Sequence, residues 1–359
     1  MFLTAAAVVG LFVVLFCASW WYLRRVVHQG QLTTRIFPNG QRATVVCGDL
    51  GADLIFREIF TEDAYFQHGL RLPRNTATAP PLVIDCGANA GFFAAACALK
   101  VDDVEVHAFE PIPILAQAAK ENALWALAAR TPSQHGRRTI HVHQVGLSSA
   151  RGTASLMFNP VFTAGSSMYP DSITAHRPTC ATSFFGRCLL FIRALFIDGS
   201  WAGVVPKSFA DVSLWILAIP CLNVIYIIVV LVPMLITLLV VGAAAPVKQH
   251  YVDAQLETLS DQVDKFVPDL MSTKRRIDYL KIDVEGAEWD VLVGFRDDHW
   301  ALVDQLVVEI HNVDGRLQRI QDLLRSKGLT EQVVGEKWLA MQELLDFHTV
   351  FARRERKIE

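Results

Sequence analysis

The residues able to do chemistry lie where strand ends and turns would gather them. Asp85 opens the run Asp85-x-Gly87-x-Asn89-x-Gly91, directly after the apolar stretch Pro81–Asp85. In an open α/β sheet, ligands bind beyond the carboxyl ends of the strands. Gly87 permits a tight turn there, and Gly91 lets the following helix approach the strand closely. A dinucleotide fingerprint would read Gly-x-Gly-x-x-Gly, and Asn89 stands where its second glycine belongs. That glycine admits a pyrophosphate to the backbone, so its loss argues against a dinucleotide and against a dehydrogenase. The next strand ends in Glu110, 25 residues after Asp85, where an acidic side chain can hydrogen-bond both hydroxyls of a ribose. A ribose without a pyrophosphate points to a nucleoside cofactor, S-adenosylmethionine foremost.

A second set lies toward the carboxyl end. Asp283 ends the strand Asp278–Asp283, where a carboxylate could orient an acceptor hydroxyl or favour a cationic sulfur. Glu309 and His311 are two apart on one strand and therefore share a face. His311 has the near-neutral pKa expected of a general base, and Asp283, Glu309 and His311 are the expected catalytic residues. The same three could hold Mg²⁺, but no metal is assigned. Glu285 and Glu288 read as the acidic first turn of a helix, favoured by its dipole. Asp85 is expected to accept backbone N–H bonds at the helix start.

These residues need elements to carry them, and strand and helix signals alternate as required. Strands are predicted at Pro81–Asp85, Val104–Glu110, Thr139–Val145, Asp278–Asp283 and Gln305–His311. Helices are predicted at Phe92–Leu99, Pro113–Ala129, Ala287–Gly294 and 314–327. Such alternation implies an α/β fold, a parallel sheet with helices on both faces.

Composition adds a second theme. The 359 residues are 52% hydrophobic and only 19% charged, where about 25% charged is usual for soluble domains, and mean hydropathy is +0.31. These values exclude a disordered chain and point away from a purely soluble one. A net charge of −3 gives no footprint for nucleic acid. The seven cysteines (17, 47, 86, 97, 180, 188 and 221) include no Cys-x-x-Cys and read as reduced thiols.

The apolar excess is concentrated. Met1–Leu23 carries no charge and ends in Trp20-Trp21-Tyr22 before Arg24-Arg25, the pattern of a transmembrane helix with an aromatic belt. Val212–Val247 is 36 residues without a charge, divided by Pro220 and Pro233. Both ends of that insert must return to one sheet, so it is expected as a hairpin dipping into one leaflet, with 188–205 along the interface. The basic residues after the first span place the soluble domain on the cytosolic side. The expected organisation is an anchor at 1–25, one sheet half at 43–180, the membrane-associated insert at 181–249, the second half at 250–350 and a solvated basic tail at 351–359.

The run Leu280-Lys-Ile-Asp-Val-Glu-Gly-Ala-Glu-Trp-Asp-Val-Leu-Val-Gly294 resembles the hallmark segment of the FkbM-type methyltransferase family. Val83–Phe93, His107–Pro111, Glu121-Asn122 and Val307–His311 match in order. The resemblance implies a class I, Rossmann-like methyltransferase sheet and S-adenosylmethionine-dependent O-methylation of a hydroxyl on a sugar, glycan, lipid or related metabolite. It assigns cofactor contacts to Asp85, Gly87, Ala88, Asn89, Gly91, Phe92, Glu110 and Gln144. Gln144 stands where the family has the Asn of an Asn-x-Ala-Leu run. The expected partners are a small-molecule, glycan or lipid acceptor and a membrane, with no nucleic acid. A non-catalytic membrane-bound module that keeps the nucleoside pocket is the alternative.

Overall fold

The computed structural model describes residues 30–49, 51–73, 79–129, 136–160, 162–169, 250–335 and 347–355. The chain divides into two compact units, Met1–Gln29 with Thr179–Gln249 and Gly30–Pro178 with His250–Glu359. The first unit lies outside the described residues, and with it the expected anchor and apolar hairpin. Among the described residues, no helix is long and apolar enough to cross a membrane.

The second unit is built on a seven-stranded sheet. Its strands are β3 (Leu82–Cys86), β4 (Val104–Phe109), β5 (Arg138–His143), β9 (Tyr279–Ile282), β10 (Gln305–His311), β11 (Glu331–Val334) and β12 (Phe347–Arg353). They lie in the order β11-β12-β10-β9-β3-β4-β5. β3, β4, β5, β9 and β10 are parallel, but β12 runs antiparallel to both of its neighbours. The fold is therefore α/β with a mixed sheet, rather than the all-parallel one expected. From β3 the chain builds outward to β4 and β5 on one side and to β9 and β10 on the other. The carboxyl ends of β3 and β9 thus flank the crevice where such sheets take ligands.

Period-two alternation decides what faces where. Leu82, Ile84 and Cys86 of β3 join Leu280, Ile282, Leu306, Val308 and Ile310 in one core. Helices α4 (Leu259–Phe266), α6 (Glu288–Val293) and α8 (Arg316–Ser326) cover that face. Val83, Tyr279, Val307 and Phe351 point to the opposite core, under α1 (Ala52–Phe60) and α2 (Phe92–Lys100). By the same parity Asp85, Lys281 and Glu309 belong to the α1–α2 side. β3 is buried at every position, as expected of a central parallel strand.

Smaller elements complete the unit. β1 (Leu32–Ile36) and β2 (Arg42–Val46) form a hairpin. β6 (Gly146–Ser148), β8 (His250–Thr258) and β7 (Gly152–Phe158) form a three-stranded sheet. α3 (Pro113–Ala128) packs beside α2. A Cβ on Gly91 would fall 2.8 Å from the Ala119 Cα, so the glycine is what lets these two helices meet. The end read as a solvated tail is partly structural. Arg353 closes β12 and pairs with Glu331, while Arg354 donates to the carbonyls of Trp300, Val303 and Lys327.

Candidate active site

The turn after β3 forms as its residue types suggest. Gly87 has φ +81°, and a Cβ there would lie 1.7 Å from the Asp283 carbonyl oxygen, so any side chain would collide with the neighbouring strand end. Asn89 also adopts the left-handed region, at φ +50°, which Asn tolerates better than most residues. Its side chain accepts from the Ala90 N–H at 2.7 Å. The Gly87 and Ala88 amides both donate to the Phe109 carbonyl at 3.0 Å.

Glu110 closes this turn from the β4 side. Its Oε2 accepts from Asn89 N at 2.8 Å and its Oε1 from Ile112 N at 2.9 Å. Burial pushes its carboxyl up to about 7, against the pull of those two N–H groups. Gln144 follows β5 and its side chain is exposed. The Phe92 side chain is buried against Phe37 and Phe56, with ring centroids 5.8 and 5.5 Å away, in the core under α2.

Asp85 departs from its expected role. It caps no helix; Gly91 occupies that position. Its partner is Lys281, whose Nζ lies 3.2 Å from Asp85 Oδ1, 3.3 Å from Asp283 Oδ2 and 2.9 Å from the Gly87 carbonyl it donates to. Burial raises the Asp85 pKa and the ammonium opposes that rise. For Lys281, burial alone would lower the pKa, but the two carboxylates overcome it and the net shift is upward. Tyr65 donates its hydroxyl to Asp283 Oδ2 at 3.0 Å and lies under the Lys281 ammonium.

His311 is not the free base its residue type suggests. Its Nδ1 lies 3.0 Å from Glu288 Oε1 and its Nε2 3.3 Å from Glu285 Oε2. Burial disfavours its charge, but the two carboxylates raise its pKa to about 11. The ring is thus already protonated near neutrality and serves as a clamp. Glu288 opens α6 in its acidic first turn, as expected. It is fully buried and also accepts from Gly286 N and from Arg316 at 3.0 Å. Glu285 precedes the helix at φ +50°, and burial raises its pKa to about 7, countered by His311.

Asp283, Glu285 and Glu309 each bring an oxygen to within 4.8 Å of the others. Burial first, then Asp283 and Glu285, hold Glu309 well above the usual carboxylate range. Lys281 and His311 already stand against two of these three carboxylates. The crevice is therefore acidic, with its cations supplied from within.

Several participants are not singled out by the sequence. Lys281 lies on a strand inside the hallmark run but carries no assigned role there, and Tyr65 lies in a short turn with no motif around it. Asp49 is buried and accepts from Gly51 N at 2.9 Å and from Thr163 Oγ1 at 2.7 Å. Thr163 Oγ1 also lies 3.3 Å from Asn89 Oδ1, which ties this loop to the turn. The alternation that pairs 281 with 283 and 309 with 311 was the one available clue to a shared face.

The description "Methyltransferase FkbM domain" matches residues 242–332, the segment that bears Asp283, Glu285, Glu309 and His311. The chain is 29% identical over 318 residues to the 31-O-demethyl-FK506 methyltransferase FkbM of Streptomyces tacrolimicus, across 88% of this chain and 95% of that one. Over most of its length the chain is thus similar to FkbM-type methyltransferases.

The methyltransferase is also 28% identical over 306 residues to methyltransferase sdnD of Sordaria araneosa, across 85% of this chain and 90% of that one. Methyltransferase 1 of Beauveria bassiana is 25% identical over 291 residues, across 80% and 85% respectively. No solved structure matches the chain. The turn at Gly87 and the strand end at Asp283 abut directly, so the glycine turn and the hallmark segment border one crevice.

Proposed function

We propose that this methyltransferase transfers a methyl group from S-adenosylmethionine to a hydroxyl of a sugar, glycan, lipid or related metabolite. The observation that carries this reading is the acidity of the crevice. Asp85 and Asp283 flank Lys281, Glu285 and Glu309 lie beside Asp283, Glu110 closes the turn, and the Gly87 and Ala88 amides are engaged by Phe109. A phosphate would find neither free amides nor an unpaired cation there, whereas a cationic nucleoside would be favoured. Each Glu110 oxygen accepts one backbone N–H, which leaves a second lone pair on each for the hydroxyls of a ribose.

Glu110 would hold the ribose, and the turn from Gly87 to Gly91 with the Asp85–Lys281 pair would hold the rest. The cofactor supplies an electrophilic methyl group on a sulfonium. The protein must then place the acceptor and take its proton, since in-line transfer needs little else. Tyr65 and Lys281 fix the Asp283 carboxylate, and His311 fixes Glu285. Transfer to oxygen is supported by the Streptomyces relative, which is named for a 31-O-demethyl substrate.

The uncharged runs Met1–Leu23 and Val212–Val247 support attachment to a membrane and an acceptor drawn from it. Mass spectrometry of membrane lipids and glycans, with and without the protein, tests the reading. The expected result is a CH₂ gain on one class of molecule, and an unchanged profile would refute it.

A further inference from the structure

Tyr65 reaches the site from far along the chain, and its hydroxyl has a single use there. The residue sits buried in the short turn Ala64–Phe66, with its ring T-shaped against Phe93 at 5.5 Å. The Tyr279 hydroxyl donates to its backbone carbonyl and so fixes the turn from below. The Tyr65 hydroxyl donates to Asp283 Oδ2 at 3.0 Å. Burial, then the Asp283 charge, hold the phenol well above its usual range, so it keeps its proton and acts as a donor.

Lys281 meets the same oxygen less closely. Its ammonium is shared among the Gly87 carbonyl at 2.9 Å, Asp85 Oδ1 at 3.2 Å and Asp283 Oδ2 at 3.3 Å, so Asp283 has the longest of the three contacts. An ammonium is also a point charge on a flexible stem, whereas a buried phenol fixes a direction. The lysine supplies charge, and the tyrosine sets the angle of the carboxylate. With both on Oδ2, Asp283 Oδ1 accepts no hydrogen bond among the described residues. The Asp283 side chain is 19% exposed, so a ligand can reach it, and its carbonyl abuts the turn at Gly87.

We propose that Tyr65 is a positioning residue for methyl transfer: it turns the Asp283 carboxylate so that Oδ1 accepts the hydrogen bond of the acceptor hydroxyl, an inference that rests on transfer to oxygen. The acceptor must aim a lone pair at the methyl carbon, in line with the methyl–sulfur bond. A carboxylate free to rotate offers the hydroxyl many directions. One held by the phenol offers few, and Tyr65 therefore acts on the rate through Asp283 rather than on binding.

Tyr65→Phe removes the hydroxyl and keeps the ring against Phe93 and beneath the Lys281 ammonium. The test uses the full chain, methyl-labelled S-adenosylmethionine, and methyl glycosides and inositol as probe acceptors. In Tyr65→Phe, kcat should fall by ~10- to 100-fold, while probe KM, cofactor affinity by calorimetry and the thermal unfolding midpoint hold. In the Asp283→Asn background the same substitution should lower kcat no further, because residues that act as one unit are not additive. An unchanged kcat in Tyr65→Phe overturns the proposal. So does a further fall in the double variant, or a loss of cofactor affinity and stability that matches the loss of rate. In parallel, carbon-13 at the aspartate carboxyls gives a resonance assigned to Asp283 by its loss in Asp283→Asn. The probes should shift it in the wild type and far less in Tyr65→Phe. If they do so while no probe is methylated, the positioning stands and methylation of hydroxyls falls. A resonance that no probe moves, or that moves equally in Tyr65→Phe, overturns the proposal itself.

Discussion

Lys281 and Asp85 form a buried ion pair at the centre of the sheet, with 3.2 Å between Nζ and Oδ1 and side-chain exposures of 4% and 0%. Both residues sit on adjacent parallel strands, with Asp85 and Lys281 directly opposite in the register. Removing one partner of such a pair leaves an uncompensated buried charge.

Lys281→Met should therefore destabilise the unit by ~3–5 kcal/mol, read from urea unfolding. The double variant Lys281→Met/Asp85→Leu should recover much of that loss. A single variant as stable as wild type would show that the pair is not what holds Asp85.

Glu110→Ala should weaken S-adenosylmethionine binding by ~1–3 kcal/mol, the cost of a lost hydrogen bond to a charged group. It also strips acceptors from Asn89 N and Ile112 N. Glu110→Gln keeps one acceptor oxygen and should lose less. Calorimetry on the three proteins checks the order.

Gly87→Ala places a methyl group against the Asp283 carbonyl in a left-handed backbone. Cofactor-induced thermal stabilisation should disappear, because the turn and the strand end cannot both keep their positions. Retained stabilisation would mean that the crevice is looser than its geometry implies.

His311 yields a pH prediction. Its folded pKa, near 11, lies above the ordinary value of about 6.5. Its contribution to stability is fully present below pH 6.5 and is lost as pH rises toward 11. The stability gap between wild type and His311→Gln should thus be widest in mild acid and narrow steadily above neutrality. The kcat profile should show no limb near 6.5 that His311→Gln removes. Such a limb would restore the histidine as a base.

Removing residues 1–25 should leave the protein bound to membranes at high salt if the 212–247 run also enters a bilayer. Sedimentation of the truncated protein with vesicles checks this, and full release would confine attachment to the amino terminus.

The elements around the site were legible because each has a local cause. The strand Gln305–His311 and the helices at 92, 113, 288 and 316 follow from hydrophobic periodicity and flanking turn residues. Gly87 and Asn89 mark a turn because few other residues accept its backbone angles. β12 was not legible. Its residues read as the end of the chain, and only pairing with β10 and β11 makes them a strand.

The sequence by itself determined the parity of the strands, and hence which carboxylates share a face. Glu309 was identifiable on that basis, and Asp85 and Asp283 from their places at strand ends. Only the tertiary structure decided their partners. Lys281 meets Asp85 across 196 residues through strand order, and Tyr65 meets Asp283 across 218 residues through the packing of the α1 segment on the sheet. It also decided the chemistry of His311, whose residue type suggests a base but whose two carboxylate neighbours make it a cation. The physical reason is range. Backbone angles and side-chain periodicity are local, whereas a charge answers to whatever the fold brings within a few ångströms in a medium that screens it poorly.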